Sequence, residues 1–327
     1  MAEATGSSPA KRLRSREARL LLGMAIILVS AGFLAYFIYR NWPALSAHNW
    51  ELNYSHLALT MVWHLLAFVI AITAWHSIIG RLAGSGNLLL NARIYCYSAV
   101  ARRLPGVAWD IATRLAMYDY AGVSKAVVGV ASMLEWLIIT VSGILLYAAL
   151  LPFTTAQSLN LGFWPLFGIL ALGGVLTHPR FVTFAVRKAK RGEVFLPLRY
   201  QDTLWWLFAY GWTWIISGLM LYATIRSVYP LASSYLLQLL GDWILVGIVT
   251  SFVSFVPTSM ALREVSLTLL MSRYMPEHIA VVAAILMRIL TVAYSILWTI
   301  CLTRLSSVPN RPTSVGQAAG RCRGTDP

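Results

Sequence analysis

The sequence predicts an all-α polytopic membrane protein with about eight transmembrane helices and two proline-broken segments within the membrane. Three observations carry this. Apolar runs of about twenty residues recur along the 327-residue chain, each long enough to cross a hydrocarbon core of ~30 Å. Charged residues make up 12% of the chain, where a soluble domain has roughly 25%. Two of the runs are interrupted by proline with charges beside the break. Broken backbone at that depth needs a protein-lined, partly wet cavity, since lipid satisfies no amide or carbonyl.

The elements follow in chain order. Residues 1–19 carry Lys11, Arg12, Arg14, Arg16 and Arg19 and read as a disordered cytoplasmic arm held against anionic lipid. A single transmembrane domain covers 20–305, with spans expected at 20–40, 57–79, 124–151, 161–178, 203–225, 231–250 and 278–303. The first run is too long for a cleaved signal peptide. Residues 306–327 form a polar tail, read as disordered. The net charge of +14 is spread over tails and loops, so it reports orientation and not nucleic-acid binding. Cys96, Cys301 and Cys322 share no metal or redox spacing.

The broken segments are 91–119, around Arg102-Arg103-Leu104-Pro105-Gly106, and 251–275, around Pro257 to Arg263-Glu264. If 91–119 dips in and returns, Arg180, Arg187, Lys188, Lys190, Arg191 and Arg199 all fall on the cytoplasmic side, as charge bias requires. The first segment is therefore expected to be re-entrant. For 251–275 the same bias favours a kinked crossing, giving eight spans and both termini inside. The spans carrying Glu135 and Arg288 would then run in opposite directions, as in an inverted repeat. Ala126-Val127-Val128 and Ala280-Val281-Val282 correspond between the two modules.

Charges inside the membrane are the candidate functional groups. Glu135 and Arg288 are expected to pair with each other, or with Arg102, Arg103, Arg114 and Arg263. Such a pair either locks two helices or gates a pathway, and the sequence leaves both open. After Pro105-Gly106 a half-helix should point its positive end into the membrane, where anions bind. Arg102, Arg103, Arg114 and Arg263 would then meet a phosphate, beside Pro257 and Glu264; snorkelling of Arg102 and Arg103 to the surface is the alternative. Asp110 and Asp242 are candidate coupling acids. His64 and His76 read as hydrogen-bonded packing residues. Trp42, Trp50, Tyr54, Trp164, Trp205, Trp206 and Tyr229 read as interface anchors.

No zinc, nucleophile-elbow or phosphate-loop motif is present, so neither enzymatic activity nor a cofactor or metal is expected. Arg103-Leu104-Pro105-Gly106, followed by Arg114, Gly122-Val123-Ser124, Ser132, Leu134 and Glu135, resembles the first signature of the transmembrane region of bacterial lysylphosphatidylglycerol synthases, a flippase-like family. Pro257, Arg263 and Glu264 are similar to its second signature, with Thr258, Ser259 and Ala261 where that family has glycines. The resemblance implies movement of phospholipid between leaflets, here without the family's aminoacyl transferase. It further implies a bacterial or archaeal cytoplasmic membrane, with a membrane phospholipid or a lipid-linked glycan as partner. The leading expectation is thus a translocase for an anionic or lipid-linked envelope substrate. The alternatives are a membrane-embedded transferase on a lipid-linked substrate, or a non-transporting partner of an envelope-lipid enzyme.

Overall fold

A computed structural model describes residues 51–103, 109–153, 199–253 and 259–305, with single helical positions at 36, 39, 42, 43 and 46. The expected span 161–178, most of 20–40, both terminal tails, and the Pro105-Gly106 and Pro257 breaks lie outside the described residues. All regular structure among the described residues is helical: α1 (Tyr54–Ala83), α2 (Leu88–Ala101), α3 (Trp109–Tyr120), α4 (Lys125–Leu150), α5 (Tyr200–Arg226), α6 (Leu236–Val253), α7 (Ser259–Met271) and α8 (Glu277–Leu305). Five of them (α1, α4, α5, α8, and α6 with its preceding 3₁₀ turn) are long and apolar enough to cross a membrane. The chain is a multi-pass membrane protein.

Local chemistry sets the helix ends. The Asn53 side chain accepts the His56 N–H at 3.2 Å to start α1, and Gly84, at φ 67°, ends it. A residue without Cβ takes that left-handed conformation without strain. Asn87 caps α2 by accepting the Leu90 N–H at 3.0 Å. α2 ends at Ala101, and α3 is described from Trp109; α6 is described to Val253 and α7 from Ser259. At 13 residues α7 covers only about 20 Å. Residues 254–258 of the kinked crossing expected for 251–275 lie outside the described residues.

Hydrogen bonds fix the helix directions. Asn53 N–H donates to Ser227 O at 2.9 Å, while Arg81 bridges Asp202 at 2.9 Å, so α1 and α5 are antiparallel. Tyr210 reaches Glu135, and Trp214 donates to Ile139 O at 3.0 Å, so α4 and α5 run the same way. Thr60 meets Tyr294 and His64 meets Trp298, so α8 runs with α1 and against α4. Within the first module α3 folds back along α2, with Arg102 opposite Asp110 and Ser98 opposite Arg114. In the second, α7 returns towards the start of α6, where the Tyr274 and Tyr235 rings lie 5.4 Å apart.

Packing follows the same order. One apolar cluster joins α1 to α5 around Trp75, Ile78, Ile138 and Tyr210. A second joins α5 to α8 around Leu221, Leu239, Ile244 and Met271. Across the seam the contacts are reciprocal: α4 packs on α6, and α8 packs on α2. The Trp214 ring sits between Gly143 and Gly247, where any Cβ would meet it. Small residues of this kind let membrane helices approach closely. Trp206 departs from its expected place at the interface. Its indole is fully buried and donates to Ser77 Oγ at 3.1 Å, whereas its neighbour Trp205 is exposed. Consecutive residues on a helix point about 100° apart, so nearness to a span end does not decide which one faces lipid.

Candidate functional site

Two charged assemblies stand out: one buried in the first module, and one partly exposed and drawn from both modules. The first surrounds Glu135 on α4. Its Oε2 accepts from Arg114 Nη1, and its Oε1 accepts from the Tyr210 hydroxyl at 2.8 Å. Arg114 Nε donates to Ser98 Oγ at 3.1 Å, and its guanidinium carbon lies 3.8 Å from the centre of the Trp75 ring. Trp75 Nε1 donates to Tyr118 OH at 3.0 Å, and Tyr118 donates to Asn91 Oδ1 at 2.8 Å. Asn91 in turn contacts His76 Nδ1 at 2.8 Å and donates to Ser85 O at 3.1 Å. Five helices, α1 to α5, thus share one buried polar network. Side-chain exposure is 1% for Arg114 and 3% for Glu135.

The second assembly lies at the two breaks. Arg102 ends α2 and binds Asp110 Oδ2 at 3.0 Å across the interruption. Asp110 occupies the first turn of α3, so the helix end expected to hold a foreign anion carries a carboxylate of its own. Such an acid is itself stabilised by the helix dipole. On the other side Glu264 Oε1 binds Arg288 Nη1 at 2.6 Å, with side-chain exposures of 20% and 41%. Glu264 Oε2 is buried without a hydrogen-bond partner.

Between these pairs stand two arginines that form no ion pair among the described residues, Arg103 and Arg263. Arg103 Nε is buried and has no hydrogen-bond partner. Its guanidinium lies within electrostatic range of Arg263, Arg102 and Arg288. Arg263 stacks 4.5 Å from the centre of the Trp243 ring, and Trp243 is pinned by its indole N–H donating to Ser217 Oγ at 2.8 Å. Among the described residues, Arg102, Arg103, Arg263 and Arg288 thus gather beside Asp110 and Glu264, with Glu135 also within electrostatic range of Arg102. Excess positive charge at membrane depth is costly unless an anion joins it. A planar guanidinium fork fits phosphate or carboxylate oxygens in pairs.

The sequence candidates therefore separate. Arg102, Arg103, Asp110, Arg263, Glu264 and Arg288 come together, whereas Arg114 and Glu135 belong to the buried network, which lies within electrostatic range of Arg102 and Asp110. Glu135 and Arg288 do not pair with each other. Asp242 is buried, its Oδ2 has no hydrogen-bond partner, and it adjoins Trp243 in sequence. The histidines pack as expected, His64 accepting from Trp298 Nε1 at 3.1 Å and lying within electrostatic range of Arg103. Trp243, Tyr210, Trp75 and Asn91 were not singled out from the sequence. A buried polar residue one helical turn from a known charge was the available signal for Tyr118, four residues after Arg114. For the others, only the fold brings the partners together.

No protein-family model matches the chain, and no curated protein matches it. The likeness of its two proline motifs to lysylphosphatidylglycerol synthases rests on those residues alone.

Proposed function

We propose that the protein is a flippase-like translocase that carries an anionic lipid headgroup past the two broken helices. The observation that carries this is the pair of ion-pair-free arginines, Arg103 and Arg263, one from each module, beside Arg102 and Arg288. A phosphate between them would supply the missing negative charge, and transfer between modules would move it. The two flippase-like signatures named above agree with this reading, and it requires no enzymatic step.

The helix directions support an inverted repeat. Each module runs helix, break, half-helix, long helix, and the long helices α4 and α8 are antiparallel. In each half-helix the sixth residue pairs with the long helix, but with opposite polarity: Arg114 to Glu135, and Glu264 to Arg288. Inverted repeats of this kind alternate access by rocking one unit against the other. In this account α3 is the fixed half-helix and α7 the moving one, because the Glu264–Arg288 pair is partly exposed where Arg114–Glu135 is sealed from solvent. Arg81, Arg93, Lys125, Arg199 and Arg304 gather at one end of the bundle, which charge bias makes the cytoplasmic end of a bacterial or archaeal membrane.

Proteoliposomes with fluorescent phosphatidylglycerol and phosphatidylcholine test the proposal. Wild type is expected to move the anionic lipid at least tenfold faster than protein-free vesicles, and Arg263→Gln to abolish that movement. Equal rates for Arg263→Gln and wild type would remove the arginine site from the mechanism.

A further inference from the structure

A cleft of about 470 Å³ opens at the seam between modules, lined by Tyr97, Val100 and Ala101 of α2, Thr113 and Met117 of α3, and Ile296, Thr299 and Ile300 of α8. Each helix presents residues one turn apart, so three parallel stripes make one continuous groove. Its floor is the buried Thr299, while Tyr97, Ile296 and Ile300 form exposed walls. Both threonines turn their hydroxyls back onto their own helices, Thr113 to Trp109 O at 2.8 Å and Thr299 to Ser295 O at 2.7 Å. The groove therefore offers hydrocarbon and little else.

Its position gives it a meaning. Ala101 directly precedes Arg102, and Thr113 lies one turn after Asp110. The Arg102–Asp110 bridge thus stands at the end of the groove, with Arg103 beyond it. The apolar track ends at the Arg102–Asp110 bridge, next in sequence to Arg103. That order, hydrocarbon and then anion, is the order of chemistry along a phospholipid.

We infer that this groove seats one acyl chain of a phospholipid whose phosphate lies at Arg103 and Arg263. The inference rests on the anionic-headgroup reading and narrows it to acyl phospholipid, setting aside a free phosphate or a polyprenyl-linked glycan. Lipid tails are as apolar in the bilayer as in the groove, so the chain gains little affinity there. What the groove supplies is orientation, holding the headgroup at the arginines. Because α8 comes from one module and α2 and α3 from the other, relative movement of the modules reshapes the groove around its chain.

Photolabelling of full-length protein in nanodiscs tests this, using phosphatidylglycerol with a diazirine on one acyl chain. Adducts are expected on Tyr97, Met117, Ile296 and Ile300. Ala101→Trp, which fills the groove, should lower them at least tenfold, while the outward-facing Leu297→Trp leaves them unchanged. Binding of glycerol 3-phosphate, read by tryptophan fluorescence, should survive Ala101→Trp and be lost in Arg103→Gln. Label spread evenly over outward positions such as Val62, Leu66 and Phe208 would overturn the groove, as would preferential labelling of it by a polyprenyl phosphate probe. The wild-type adduct map decides this even if Ala101→Trp fails to fold. Undiminished glycerol 3-phosphate binding by Arg103→Gln would instead sink the headgroup reading, independently of where the chains label.

Discussion

The two half-helices present the same ion pair in two environments. On α3, Arg114 meets Glu135 with both side chains sealed from solvent, flanked by Tyr210, Ser98 and the Trp75 ring. On α7, Glu264 meets Arg288 with exposures of 20% and 41%, and one carboxylate oxygen lacks a partner. The geometry is shared and the polarity reversed, but the surroundings differ. Each pair keeps one buried atom without a hydrogen-bond partner, Arg114 Nη2 in the first and Glu264 Oε2 in the second, so the difference lies in exposure: a charge pair sealed from solvent is a lock, because separating it strands ions in low dielectric. A pair that is partly exposed separates at far lower cost. On the proposed mechanism, the first pair belongs to the fixed element and the second to the movable one.

Breaking the lock should have the largest effect. Glu135→Ala leaves Arg114 buried and uncompensated, and is expected to cost roughly 3–5 kcal/mol, read as loss of folded protein in detergent and a lower unfolding temperature. Gly247→Ala comes next. The added methyl meets the Trp214 ring where the two apolar clusters join, and overpacking of this kind costs about 1–3 kcal/mol. Tyr210→Phe removes one hydrogen bond to Glu135 and should cost about 1 kcal/mol with transport retained, since the Arg114 bridge persists. Glu264→Gln should change stability by less than about 1 kcal/mol, yet slow lipid movement at least tenfold. That last split between stability and rate sharpens the comparison; a stability loss for Glu264→Gln as large as that for Glu135→Ala would erase it.

Much of this arrangement was legible beforehand. The apolar runs located α1, α4, α5, α6 and α8. Spacing also brought Glu135 and Arg288 into corresponding places. The partners were not legible. Glu135 had five arginines to choose from, and helical periodicity gives the face a residue occupies but not the helix it meets. Arg114 was selected because α3 folds back along α2 and carries it to α4, a consequence of the turn and not of the residues around Glu135. The role of Asp110 was missed for a related reason: an acid in a helix's first turn already neutralises the end that looked open to an anion. Nothing in the sequence singles out Trp243, whose ring is set by packing beneath Arg263.

The central claim is that α7 moves and α3 does not. Hydrogen–deuterium exchange on the full-length protein in nanodiscs measures this directly, since amide protection reports local opening. The account predicts that amides of Ser259–Met271 exchange at least tenfold faster than those of Trp109–Tyr120, and that anionic phospholipid slows the former selectively. Equal protection of the two half-helices, or faster exchange in Trp109–Tyr120, would contradict it.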